Sequence, residues 1–74
     1  MENKIIEIIA KVLEVSIADV ELDTEIGDLP EWDSLHHLMI VKALEREFNI
    51  KFSMEDLSDL EDVSDIIALV KEMA

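Results

Sequence analysis

The sequence predicts an all-α fold: a four-helix bundle of three longer helices and one short helix, with a long first loop. Three observations predict it. Apolar residues recur at intervals of three and four in three separate segments, the spacing that lines one face of a helix. No stretch alternates apolar and polar residues as a half-buried strand does. The only glycine, Gly27, and the only proline, Pro30, both fall between the first two periodic segments and mark a loop there.

The first helix is expected over Asn3 to Glu14. At about 100° per residue, Ile5, Ile6, Ile8, Ile9, Val12 and Leu13 share one face, and Lys4, Glu7, Lys11 and Glu14 share the other. The apolar face should pack into the core. One extra turn is expected within Val15 to Val20, capped by Ser16. Glu21 to Trp32 then makes a loop of a length uncommon in compact domains and often functional. Leu22, Ile26, Leu29 and Trp32 recur along it and are expected to pin it to the core. Its acids do not form a calcium loop. Asp23, Glu25 and Gly27 miss the D-x-[DN]-x-[DN]-G spacing, and no glutamate stands at the closing position.

The second long helix is expected over Ser34 to Phe48, with Asp33 before it as a cap. An Asp side chain at that position accepts a hydrogen bond from a free backbone N–H. The helix end also favours a negative group placed on Ser34. Ile40, Val41, Leu44 and Phe48 cluster on the core side, with His37 among them. Leu35, Leu38, Met39, Lys42 and Arg46 fall opposite and form a patch that is part apolar and part basic. Two readings of that patch stand: a contact surface for partners, or Leu35 and Leu38 tucked under the long loop. Asn49 to Phe52 breaks the helix. Ser53-Met54-Glu55-Asp56 has the form of a capping box, so a short helix should run to Leu60. Asp62 can cap a last helix, Val63 to Met73, with Val63, Ile66, Ile67, Val70 and Met73 as its buried stripe.

Composition narrows the function. The chain of 74 residues is read as a single domain, 1–74. It has no cysteine, hence no thiol nucleophile, disulfide or cysteine metal site. Its net charge of −13 disfavours nucleic acid and favours basic protein surfaces. Glu7 and Lys11 interrupt the first apolar run, so no signal peptide is expected, and no stretch approaches a membrane span. A metal site from His36 and His37 is not expected, since adjacent helical residues diverge by about 100°. Ser34 and His37 suggest a nucleophile and base one turn apart. No aspartate is placed to orient the histidine, however, and the chain is too short for an evident oxyanion hole. Ser34 is better read as the substrate of another enzyme.

With these residues laid out, the chain resembles the acyl carrier protein family over nearly its whole length. The resemblance rests on Asp33-Ser34-Leu35, on Ala43-Leu44-Glu45-x-Glu47-Phe48-x-Ile50, and on four helices with a long acidic first loop. The Trp32-Asp33-Ser34-Leu35 form is similar to free-standing carriers of specialised biosynthetic pathways. It is less similar to the housekeeping carrier of fatty acid synthesis. The resemblance implies a cytoplasmic, monomeric carrier and not an enzyme. A phosphopantetheinyl transferase would move 4'-phosphopantetheine from coenzyme A onto Ser34. The thiol of that arm would hold an acyl or aminoacyl group as a thioester for loading and processing enzymes.

The resemblance also implies site residues. Asp33 and Leu35 flank the attachment point. Leu35, Leu38, Met39, Lys42 and Arg46 would meet partners. His37, Leu44, Phe52, Leu57 and Leu60 would line a cargo pocket. The chain departs from the family pattern on the second helix, where His36, Met39, Lys42 and Arg46 stand instead of acids. Leu57 stands where fatty acid carriers often have a smaller residue, which implies a small cavity and a short or polar cargo. Two readings of His37 remain: a core-edge histidine with one hydrogen bond, or a donor at the mouth of that pocket. The rival reading of the whole chain is an acidic helical interaction module whose Ser34 is never modified.

Overall fold

Helix α1 spans Glu2–Leu13 and buries Ile5, Ile9 and Leu13, one turn apart along a single face, with Ala10 beside them. Ile6, Ile8 and Val12, assigned to the same face, sit at its edges and are half-buried. The helix ends in left-handed Glu14 (φ 57°), and the Val15 N–H returns to the Ala10 carbonyl at 3.0 Å. A 3-10 turn follows at Ile17–Asp19, with the Ser16 side chain accepting from the Ala18 N–H. The computed structural model describes residues 1–74 and continues with α2 (Ser34–Phe48), α3 (Met54–Ser58) and α4 (Val63–Met73). Helix α1 packs against both α2 and α4. No helix is long and apolar enough to cross a membrane.

The core is filled from every element. Ile40, Val41 and Leu44 come from α2, and Val63, Ile66, Ile67 and Val70 from α4. Val20, Trp32, Phe52 and Leu60 enter it from the connections. Met73 and Phe48, near helix ends, are only half-buried. Helix α3 stops at Ser58, short of the expected Leu60. The Asp59 and Leu60 N–H groups close tight turns back to the Asp56 and Leu57 carbonyls, and Leu60 drops into the core.

The long connection is held differently from the expectation. Trp32 is buried and Leu29 half-buried, but Leu22 and Ile26 are exposed. Each of the latter sits inside a turn. The Thr24 N–H bonds to the Glu21 carbonyl across Leu22-Asp23, and the Asp28 N–H to the Glu25 carbonyl across Ile26-Gly27. Turn apices point to solvent, and the second places Gly27 at φ 97°, which a glycine adopts without strain. Backbone pairing with the start of α4 does the anchoring instead. The Ser64 N–H reaches the Leu22 carbonyl at 2.9 Å, Val63 N–H the Thr24 carbonyl at 3.0 Å, and Ile26 N–H the Glu61 carbonyl at 3.2 Å. Thr24, the one buried polar residue, turns its hydroxyl to the Glu21 N–H at 2.9 Å.

These roles separate in a stability measurement. Trp32→Ala should lower the urea-unfolding free energy by about 3–5 kcal/mol, a large fraction of what so small a domain holds. Leu22→Ala should stay within about 0.5 kcal/mol of the parent, as an exposed turn residue does. A large loss from Leu22→Ala would restore the side-chain anchoring that the turns argue against.

Candidate functional site

The start of α2 gathers the residues singled out from sequence. Asp33 is its N-cap, in extended conformation, and its Oδ1 accepts the His36 backbone N–H at 2.9 Å. The same Oδ1 meets Nδ1 of the His36 ring at 2.8 Å, so that nitrogen carries a proton and donates to the carboxylate. The bonded His36 backbone N–H, and after it the His36 ring, hold the Asp33 carboxyl below its usual range. Asp33 therefore stays ionised at neutral pH and satisfies one free donor of the helix end.

Ser34 is the first helical residue. It is exposed, and none of the side-chain hydrogen bonds at this turn involves its hydroxyl. Leu35, beside it, is 64% exposed. A group attached to Ser34 therefore extends into solvent without displacing anything, and any negative charge on it faces the N–H end of α2.

Trp32 stands immediately before the cap and His37 four residues after it. The indole N–H donates to His37 Nδ1 at 3.2 Å, and the two rings stack with centroids 6.1 Å apart. His37 is thus on the core side, half-buried, with one hydrogen bond. Burial pushes its pKa below the ordinary value. The contact joins the positions of a hydrophobic staple, the residue before the cap and the fourth of the helix. That spacing was present in the sequence and is the signal that finds the pair.

The opposite side of α2 is open. Leu35, Leu38 and Met39 are all exposed, which removes the alternative that the leucines tuck under the loop. Leu38, Met39, Lys42, Ala43 and Arg46 line a shallow surface groove. Lys42 lies 3.9 Å from Glu45, and Arg46 pairs with no carboxylate. Glu45 is engaged elsewhere: its Oε2 accepts the Phe52 backbone N–H at 2.8 Å, fastening the α2–α3 connection. That role of Glu45 depends on a fold-back of seven residues and has no local signature.

The residues assigned to a cargo pocket are not brought around an open space. Leu44, Phe52 and Leu60 are buried in the common core, Leu57 packs half-buried against it, and His37 is turned to Trp32. None of the three surface cavities joins them, and Leu60 borders instead an acidic groove with Asp56, Asp59, Asp65 and Glu72. No cluster of side chains suited to a metal ion occurs, and His36 and His37 are held apart by Asp33 and Trp32.

Comparison with known proteins fits this geometry. The profile of a family described as "Phosphopantetheine attachment site" matches residues 3–70. An acyl carrier protein of Solidesulfovibrio magneticus is 33% identical over 70 residues, which cover 95% of this chain and 90% of that protein. The solution NMR structure of a holo acyl carrier protein from Geobacter metallireducens matches with a TM-score of 0.86 at 28% identity, over 96% of this chain and 82% of that one.

Two groups of the site, His37 and Asp33, and the α4 cap Asp62 have lowered pKa values that contribute to the acid response of the fold. Because the folded His37 pKa lies below the ordinary 6.5, its contribution to stability is complete above that value and is lost as pH falls through the folded pKa. Asp33 and Asp62 are also depressed, Asp62 first by the Ser64 hydroxyl and then by the Asp65 N–H. Their contributions are complete above the ordinary 3.8 and fade as pH falls through their folded values. Urea midpoints measured from pH 8 downward for the parent and for His37→Gln should therefore converge below about 6.5. A difference between the two that stays constant across that range would remove His37 from the acid response.

Proposed function

The chain belongs to the acyl carrier protein family, and on that premise we propose that Ser34 is where its 4'-phosphopantetheine is attached. The protein is a carrier and not a catalyst. When bound, the group supplies the thiol that the cysteine-free chain lacks, and so a point at which an acyl chain can be held. The observation that carries the assignment is the exposure of Ser34 as the first residue of α2, beside its Asp33 cap. Asp33 fixes the turn, Leu35 gives the transferase an apolar contact next to the hydroxyl, and the free end of α2 faces the negative charge that attachment adds.

Partners of such a carrier are a phosphopantetheinyl transferase and biosynthetic enzymes. In our reading they dock on Leu35, Leu38, Met39, Lys42 and Arg46. This face supports a role outside housekeeping fatty acid synthesis. From Ser34 to Leu44 the helix carries no acid, although the chain as a whole has a net charge of −13. Enzymes with basic docking surfaces would meet Lys42 and Arg46 and be repelled. The dense packing around Leu44, Phe52, Leu57 and Leu60 supports a short or polar cargo, acyl or aminoacyl. We place this work in the cytoplasm, by a monomer.

Treatment with coenzyme A and a promiscuous phosphopantetheinyl transferase should raise the intact mass by one phosphopantetheine. Ser34→Ala should fold like the parent and take up none. Peptide mapping that finds the group on Ser16, Ser53, Ser58 or Ser64 would refute the assignment.

Partner choice is tested separately. Loading by fatty acid synthesis enzymes should be poor for the unaltered protein. It should improve at least about fivefold in kcat/KM for Met39→Glu combined with Lys42→Met, since such rim charges act mainly on encounter. Efficient loading of the unaltered protein would count against the specialised role.

A further inference from the structure

We propose that Trp32 is a positioning residue that locks His37 in one tautomer, so that His37 Nε2–H is presented as a hydrogen-bond donor to a phosphate ester on Ser34. The proposal rests on the reading of Ser34 as the attachment point. An indole N–H can only donate, so His37 Nδ1, 3.2 Å from Trp32 Nε1, must be bare. The single proton of the neutral ring then sits on Nε2. Protonating the ring would set one N–H against another, so the contact with Trp32 holds the neutral form as well as the tautomer.

Position is fixed along with protonation. The rings lie 6.1 Å apart between centroids and 30° from parallel, and Trp32 is 1% exposed, so the histidine rests against a buried ring. Residues three apart on a helix are neighbours, and helical side chains lean toward the preceding turn. His37 therefore covers the turn that begins with Ser34. Its Nε2 has no partner within the protein, and the ring is only half-buried. A phosphodiester at neutral pH offers acceptors only, and a fixed N–H is its complement. His36 is unavailable for the same service through Nδ1, because that atom is committed to Asp33 at 2.8 Å. The two adjacent histidines thus divide the work: His36 orients the cap, and His37 faces what Ser34 carries.

The test uses the full chain with 15N-labelled histidine, before and after reaction with coenzyme A and a phosphopantetheinyl transferase. Long-range 1H–15N spectra should show His37 as the Nε2–H tautomer in both states. Attachment should shift His37 Nε2 and slow the exchange of its proton. The 31P resonance of the attached group should move in His37→Phe and return toward the parent in His37→Gln, which keeps an N–H. Trp32→Phe should populate both His37 tautomers and move the 31P resonance in the direction of His37→Phe. Should Trp32→Phe fail to fold, the two His37 variants carry the test, since Phe keeps an aromatic ring against Trp32. A His37 Nε2 that does not respond to attachment, or a 31P resonance identical in parent and His37→Phe, overturns the proposal. No mass gain at Ser34 overturns the attachment reading and the proposal with it. A normal mass gain with a silent His37 overturns the proposal alone.

Discussion

Burial of the Trp32 indole is the contact on which the arrangement depends. It closes the far end of the long connection, which the backbone bonds to Val63 and Ser64 fasten at its middle. It also fixes the angle at which the chain enters α2, because Trp32 lies just before the cap and packs on the fourth helical residue. Ser34 is therefore held at one place and orientation without being buried itself. Burying a residue of this size stabilises by several kcal/mol, whereas the polar bonds of the cap contribute far less. The indole supplies stability, and Asp33 and His36 supply direction.

Charge is distributed against the grain of the composition. Nineteen acids face six bases, yet the long segment of α2 after Ser34 is apolar and basic. Glu45 and Glu47, the acids of that helix, are drawn aside, one to the Phe52 N–H at 2.8 Å and the other toward Lys4 at 3.9 Å. Surface pairs of the second kind contribute little to stability. Glu45 keeps its other oxygen 3.9 Å from Lys42, so Arg46 is the base of that face that pairs with no carboxylate. The acids concentrate in the first connection and around α3 and α4, where Asp56, Asp59, Asp65 and Glu72 border one groove. The stretch of α2 from Leu35 to Leu44 is thus less acidic than the rest of the molecule.

The helices were legible in the sequence because their periodicity and caps agree. Asp33, Ser53 and Asp62 cap α2, α3 and α4 as read, and Ser53 and Asp56 complete the reciprocal capping box. The connection was misread where hydrophobicity stood in for geometry. Leu22 and Ile26 look like anchors, but two turns throw them outward, and Thr24 between them is buried. Spacing alone does not say which residue of an irregular segment turns in. The turn that opens α2 was legible down to Ser34 and its Asp33 cap. The pairing of Trp32 with His37 was legible too, had the staple spacing been applied to an indole and an imidazole. Glu45 was not, because its bond to Phe52 exists only after the chain has folded back.

Rival functions separate on the same geometry. A serine hydrolase needs its histidine free to accept the serine proton. Here the only unprotonated nitrogen of His37 already accepts the indole N–H, and the remaining nitrogen carries the ring proton. Ser34 and His37 cannot form a nucleophile and base while that contact stands. An interaction module without a prosthetic group could open a helix with the same Asp-Ser pair, and what weighs against it is family membership. What disqualifies His37 as a base is what suits it to a carrier. A neutral ring with a fixed donor can hold an anion in place without taking a proton from anything, and a carrier must keep its cargo intact between enzymes.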